Sequence, residues 1–232
     1  EDNLGVDAIL WVGHTGNDGA AAIGNILSGK VSPSGRTADT YAVDFTKDPT
    51  FTNFGSNGQN FENGERMNNN VYVGDTMTDY HSVEYREGIY VGYRYYETKG
   101  HDAGEAWYDE NVVYPFGYGL SYTTFTQEIM GQPEITVDID SETGAPQVYA
   151  TFNVKVTNTG SVAGKTPVQI YGQAPYTEGG LEKVAIQLLN FEKSSELAPG
   201  ASEIVPVKVD MQYIASYDMD YDNGDGTTGT YV

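Results

Sequence analysis

The chain has 232 residues, room for one large domain or two ordinary ones, and its 39% hydrophobic content is enough for real cores. A formal net charge of −21, from 33 acidic against 12 basic residues, opposes phosphate backbones and anionic lipids and so argues against nucleic-acid and membrane-surface partners. With no cysteine there are no disulfides or thiolate metal sites, and the compartment stays open.

In chain order, residues 1 to 30 carry no basic start, apolar stretch and small-residue cleavage site, so no signal peptide is read there. Ala8 to Val12 form an apolar run expected to be a strand covered on both faces. It comes so early that the chain is expected to start inside a fold. Gly13 to Gly16 make a turn, and Asn17 or Asp18 can cap a helix whose Ala20, Ile23, Ile26 and Leu27 share one face. Gly29 is expected to stop that helix. The turn Ser32-Pro-Ser-Gly-Arg36 leads to an extended stretch at Thr37 to Val43. Strand, helix and strand suggest the last unit of an open α/β sheet.

From Asp44 to Asn70 the periodicity is lost, and a long excursion pinned by Phe45, Phe51, Phe54 and Phe61 is expected. Order returns at Val71-Tyr-Val73 and in the aromatic run Gly88 to Tyr96, followed by an expected loop over Lys99 to Asn111. After Gln132 the pattern changes. Val148, Ala150, Phe152, Val154 and Val156 alternate with polar residues, as in a strand buried on one face. Asn158-Thr-Gly160 makes a turn, and further strands are read at Val168 to Ile170, Val184 to Phe191 and Val205 to Val209. Short strands with such turns indicate a β-sandwich.

Three stretches together resemble family 3 glycoside hydrolases of β-glucosidase type. The first is Gly13 to Arg36, similar to the family's glycine-rich turn, helix and "Asn-Pro-Ser-Gly-Arg" segment. The second is Tyr85-Arg-Glu-Gly-Ile-Tyr-Val-Gly-Tyr-Arg-Tyr-Tyr96 with Tyr114-Pro-Phe-Gly-Tyr-Gly-Leu-Ser-Tyr-Thr-Thr-Phe125. The third runs from Val154 to Gly164, Pro167 to Tyr171, Leu181 to Lys183 and Leu188 to Lys193. The resemblance implies an α/β part followed by an all-β part. Residues 1–132 would be the end of an α/β sandwich domain with its long loop. Residues 133–232 would be an immunoglobulin-like, fibronectin type III-like β-sandwich, incomplete at its end. His14-Thr-Gly-Asn17 stands where the family carries Gln-Glu-Gly-Gly, and Thr37-Ala-Asp39 where Leu-Pro is common.

A retaining glycosidase needs two carboxyl groups about 5 to 5.5 Å apart. The resemblance implies an aspartate nucleophile in a Ser-Asp-Trp-type motif on a (β/α)8 barrel, and no Ser-Asp-Trp occurs in this sequence. The expected catalytic residues in this chain are therefore none. The barrel would be a partner in cis or as a separate chain, placed before or after this segment, with a β-linked glucoside or oligosaccharide as substrate. A homo-oligomer is compatible with this. The competing reading is a non-catalytic carbohydrate-binding or structural module, for which the 19 tyrosines supply stacking faces. Glu62, Glu65, Glu84 and Glu87 are the in-chain candidates for a general acid, with a structural or solvated role the simpler account. Tyr90, Tyr93, Tyr95 and Tyr96 suit packing between the two parts better than sugar stacking. His14, His81 and His101 lack metal spacing, and Asp218 to Gly226 lacks the glycine and glutamate of an EF-hand, so no cofactor or metal is expected.

Overall fold

The computed structural model describes residues 5–16, 19–53, 59–62, 65–68, 70–73, 76–79, 85–142 and 144–232, with backbone alone from 52 to 79. The described structure is mostly β-strand with a few helices. Its centre is β9 (Pro146–Asn158), whose alternation buries Ala150, Val154, Val156 and Asn158. Along one edge β9 pairs antiparallel with β12 (Ser202–Asp210) from Ser202 opposite Thr157 to Asp210 opposite Tyr149. Along its other edge the C-terminal half of β9 pairs with β7 (Phe125–Ile129) and the N-terminal half with β8 (Glu134–Ile139). A second, two-stranded sheet is formed by β10 (Pro167–Gly172) and β11 (Gln187–Lys193).

The core lies between these sheets. Val154, Val156, Val168, Val205, Val207 and Leu197 form one buried cluster, flanked by Phe125, Phe152 and Ile170. Each valine so covered contributes roughly 1.5 to 3 kcal/mol relative to exposure. The strands read from sequence at Val148 to Val156, Val168 to Ile170 and Val205 to Val209 are all present. The strand read from Val184 begins later, at Gln187.

The first part of the chain departs from the expectation. Ala8 to Val12 carries no strand pairing, and Ile9 and Trp11 are 72% and 70% exposed. A strand exists only through its ladder, and among the described residues none pairs with this segment, although Trp11 meets Tyr41 edge to face at 5.8 Å. Helix α1 (Ala20–Leu27) is present, with Gly19 rather than a side chain at its N-cap, while Asn17 and Asp18 lie outside the described residues. Gly29, at φ 73°, ends it in the left-handed conformation that favours glycine. Of the expected face, Ile23 and Ile26 are half-buried, whereas Ala20 and Leu27 are exposed. Only Tyr41–Ala42 of the extended stretch is a strand, β1, antiparallel to β6 (Val112–Tyr114).

The excursion begins with a 3-10 turn at Phe45–Lys47 and helix α2 (Pro49–Asn53), where Phe45 and Phe51 meet edge to face at 5.3 Å. Two backbone hairpins follow, β2 (Gln59–Glu62) with β3 (Glu65–Asn68) and β4 (Asn70–Val73) with β5 (Thr76–Asp79). Phe54 lies outside the described residues. The expected loop over Lys99 to Asn111 is instead the end of α3 (Tyr93–Ala103) and all of α4 (Glu105–Asn111). Tyr96 and Gly100, four apart, make the buried stripe of α3, and the run of tyrosines conceals that spacing. The chain closes with a hairpin of β13 (Tyr217–Asp222) and β14 (Thr228–Tyr231).

Candidate functional site

The sequence words singled out above meet one another in space. Thr37 is the hub of the first contact. Its hydroxyl donates to the Pro115 carbonyl at 2.7 Å and accepts from the Tyr118 N–H at 3.0 Å. Its N–H donates to the Tyr118 carbonyl and its carbonyl accepts from the Gly117 N–H, both at 2.8 Å. The Ser32 and Ser121 hydroxyls are paired at 3.0 Å. A Cβ on Gly119 would lie 2.5 Å from the Gly35 carbonyl oxygen, so glycine there is a condition of close approach. Arg36 passes beneath, donating to the Thr166 hydroxyl at 3.4 Å, and burial lowers its pKa.

Helix α3 makes the second contact, with the β10–β11 sheet. The Tyr93 ring stacks on Phe116 at 4.0 Å, and Phe116 meets Tyr171 of β10 edge to face at 6.3 Å. The Tyr93 hydroxyl accepts from the Leu188 N–H of β11 at 2.8 Å, and the Thr98 hydroxyl from the Ala185 N–H at 2.9 Å. Tyr108 on α4 donates to Glu97 at 2.5 Å, and Tyr90 to Glu182 at 3.0 Å. Tyr95 packs edge to face on Tyr96 and on Trp107.

These surroundings keep the hydroxyls protonated. Burial, then the hydrogen bond to Glu182, pushes Tyr90 up to about 12. Burial and the neighbouring Tyr93 and Glu97 do the same for Tyr171, to about 12. Tyr96 and Tyr108 are also raised, first by burial and then by Asp48 and Glu97 respectively.

A third cluster is buried and polar. The Asn158 side chain accepts from the Thr123 hydroxyl at 2.7 Å and the Gly160 N–H at 3.0 Å. It donates to the carbonyls of Val162 and Leu197, both at 2.8 Å. All of its hydrogen-bonding capacity is used away from water. From sequence Asn158 reads only as a turn residue. Its position at the end of a period-two strand that turns inward was the available signal.

The candidate acids are not brought together as a described pair. Glu62 and Glu65 sit opposite one another at the closed end of the β2–β3 hairpin, and Glu84 lies outside the described residues. Glu87 is half-buried in the turn before α3, where its carbonyl accepts from the Tyr90 N–H at 3.1 Å. His14 is exposed, His81 lies outside the described residues, and exposed His101 is 3.1 Å from Asp102. Among the described residues no group of three or more His, Cys, Asp or Glu is placed to hold a metal. In the acidic hairpin, Asp218 and Asp222 accept from the backbone two residues on, at 3.0 and 2.8 Å. Asp225 accepts from Thr227 and has a lowered pKa, chiefly through that side-chain hydrogen bond. Among the described residues no helix is long and apolar enough to cross a membrane.

Residues 1–93 match the model of the glycosyl hydrolase family 3 C-terminal domain. A β-glucosidase of Ruminococcus albus is 35% identical over 217 residues, covering 94% of this chain and 18% of that protein. The chain is thus similar to glycoside hydrolase family 3 proteins. A second relative, β-glucosidase A of Butyrivibrio fibrisolvens, is 36% identical over 224 residues, 94% of this chain and 23% of that protein. Among solved structures, a β-glucosidase from Paenibacillus barengoltzii aligns with a TM-score of 0.62 and 35% identity, over 86% of this chain and 17% of that one. The chain thus spans about a fifth of the length of the curated β-glucosidases it matches. The residues that carry the family resemblance form the seam between the helical part and the sheets.

Proposed function

We propose that this chain is a non-nucleophile portion of a retaining β-glycosidase, β-glucosidase-like, that hydrolyses terminal β-linked sugars. The observation that supports it is the alignment of 94% of the chain with a family 3 β-glucosidase, through residues that here hold two parts of the molecule together. At the aromatic seam three carboxylates are engaged by tyrosines, Glu97 by Tyr108, Glu182 by Tyr90 and Asp48 by Tyr96. The nucleophile and the acid/base would come from the rest of the enzyme, with a (β/α)8 barrel in cis or on a separate chain. This chain would supply part of the active-site mouth and its support.

Within this reading residues 1–132 are the end of an α/β sandwich domain and 133–232 a fibronectin type III-like sandwich. The two facing sheets, β7–β8–β9–β12 and β10–β11, support the second assignment. The test is hydrolysis of chromogenic β-glucoside and β-xyloside by the purified chain, with and without a family 3 barrel. No turnover alone and recovery with the barrel is expected. Turnover by the 25.3 kDa chain alone would overturn the proposal. The second reading, a carbohydrate-binding module, is favoured by one observation, the groove beside Tyr122.

A further inference from the structure

A groove of about 540 Å3 runs between the end of α1 and the loop after β9, lined in part by Leu27, Lys30, Tyr122, Val162 and Glu196. Both walls are fixed. On one side the Tyr122 hydroxyl donates to the Ile26 carbonyl at 2.9 Å and its N–H to the Ser32 hydroxyl at 3.1 Å. That clamps the ring to the C-terminal turn of the helix while leaving it 49% exposed. On the other side buried Asn158 holds the Val162 and Leu197 carbonyls, and Gly164 and Leu197 exchange backbone hydrogen bonds at 3.1 and 2.8 Å. Glu196 therefore projects from a braced segment. Lys30 and Glu196 are both exposed, and no other described side chain engages either charge.

We propose that this groove binds a neutral saccharide. A pyranose has an apolar C–H face that matches an aromatic ring and adjacent aliphatic walls, here Tyr122, Leu27 and Val162. Its hydroxyls both donate and accept, so a sugar can meet a carboxylate that only accepts and an ammonium that only donates. An anionic ligand is opposed by the net charge of −21. A cationic ligand would use Glu196 and be repelled by Lys30. The volume lies in the range of small-molecule sites, roughly 300 to 1,000 Å3. The inference stands apart from the hydrolytic reading, since it asks only for binding.

The test is titration of the 232-residue chain with cellobiose, followed by amide chemical shifts. Shifts confined to Lys30, Tyr122, Ala163 and Glu196, with a Kd of about 1 to 10 mM, are expected. Glu196→Gln and Lys30→Ala should each weaken binding several-fold, and Tyr122→Leu should abolish it. Tyr122→Phe keeps the ring and should retain binding. Tyr176→Ala, at another exposed tyrosine, should leave binding unchanged. Groove amides that stay still at about 50 mM cellobiose, shifts centred elsewhere, or unchanged binding in Tyr122→Leu would each overturn the proposal.

Discussion

Asn158 concentrates four hydrogen bonds in one amide with no exposure to solvent. Replacing it by alanine leaves the Val162 and Leu197 carbonyls, the Gly160 N–H and the Thr123 hydroxyl short of partners in a space that admits little water. Each stranded group costs more than its hydrogen bond contributed. Asn158→Ala is therefore expected to destabilise the chain by roughly 2 to 4 kcal/mol, read as a lower urea midpoint at an unchanged slope. Gly119→Ala acts by a different route. The added carbon meets the backbone oxygen of Gly35 at 2.5 Å, which no rotamer change relieves, so the turn must separate from its partner. A loss of about 1 to 3 kcal/mol is expected in thermal unfolding. Neither effect is written in the sequence near the residue. Ser32 and Ser121, or Gly35 and Gly119, are recognisable as motif residues, yet 89 and 84 positions separate each pair, and only the fold makes them neighbours.

Elements differ in how openly they declare themselves. Strands β9 and β12 were legible because a sheet buried on one face imposes a period of two, and Val205, Val207 and Val209 keep it without a break. Helix α3 was not, since its buried stripe is only Tyr96 and Gly100 and its remaining aromatics favour strands. The run at Ala8 to Val12 misled in the other direction, because composition can mark a strand but cannot supply its neighbour. The tyrosines around α3 give this region a pH signature. Tyr90 and Tyr171 ionise near 12 in the fold against about 10 when unfolded. A raised pKa means that the fold holds a proton which the unfolded chain releases, so their stabilisation is whole below pH 10 and drains away as pH rises through about 12. Urea midpoints taken across that range should fall, and Tyr171→Phe, which has no proton to lose, should fall less steeply. Identical profiles for the two proteins would refute the assignment.

At the scale of the molecule, the family resemblance and the broad β character were legible, while the partners that each motif word would meet were not. They form a seam of paired serines, stacked aromatics and a half-buried arginine, and of these only the packing of the tyrosines was read from sequence. The charge of −21 belongs to this scale too. Ion pairs such as Lys208 with Asp138 at 3.4 Å are exposed, so mutual repulsion among carboxylates outweighs them. Raising sodium chloride from about 0.02 to 0.5 M should therefore raise the melting temperature, since a shorter Debye length screens that repulsion. A fall would show that attractive pairs dominate.

Strands β7 and β8 lie end to end along one edge of β9, and between them Ile129 opposite Val154 passes to Glu134 opposite Thr151. The edge thus spends five steps where its partner spends three, and the surplus is released in the exposed turn at Met130 to Gln132. Each half is registered independently of the other. A protease nick in that turn, or a short peptide spliced into it, would leave both strands seated, making this the natural place to divide the chain into two fragments that reassemble.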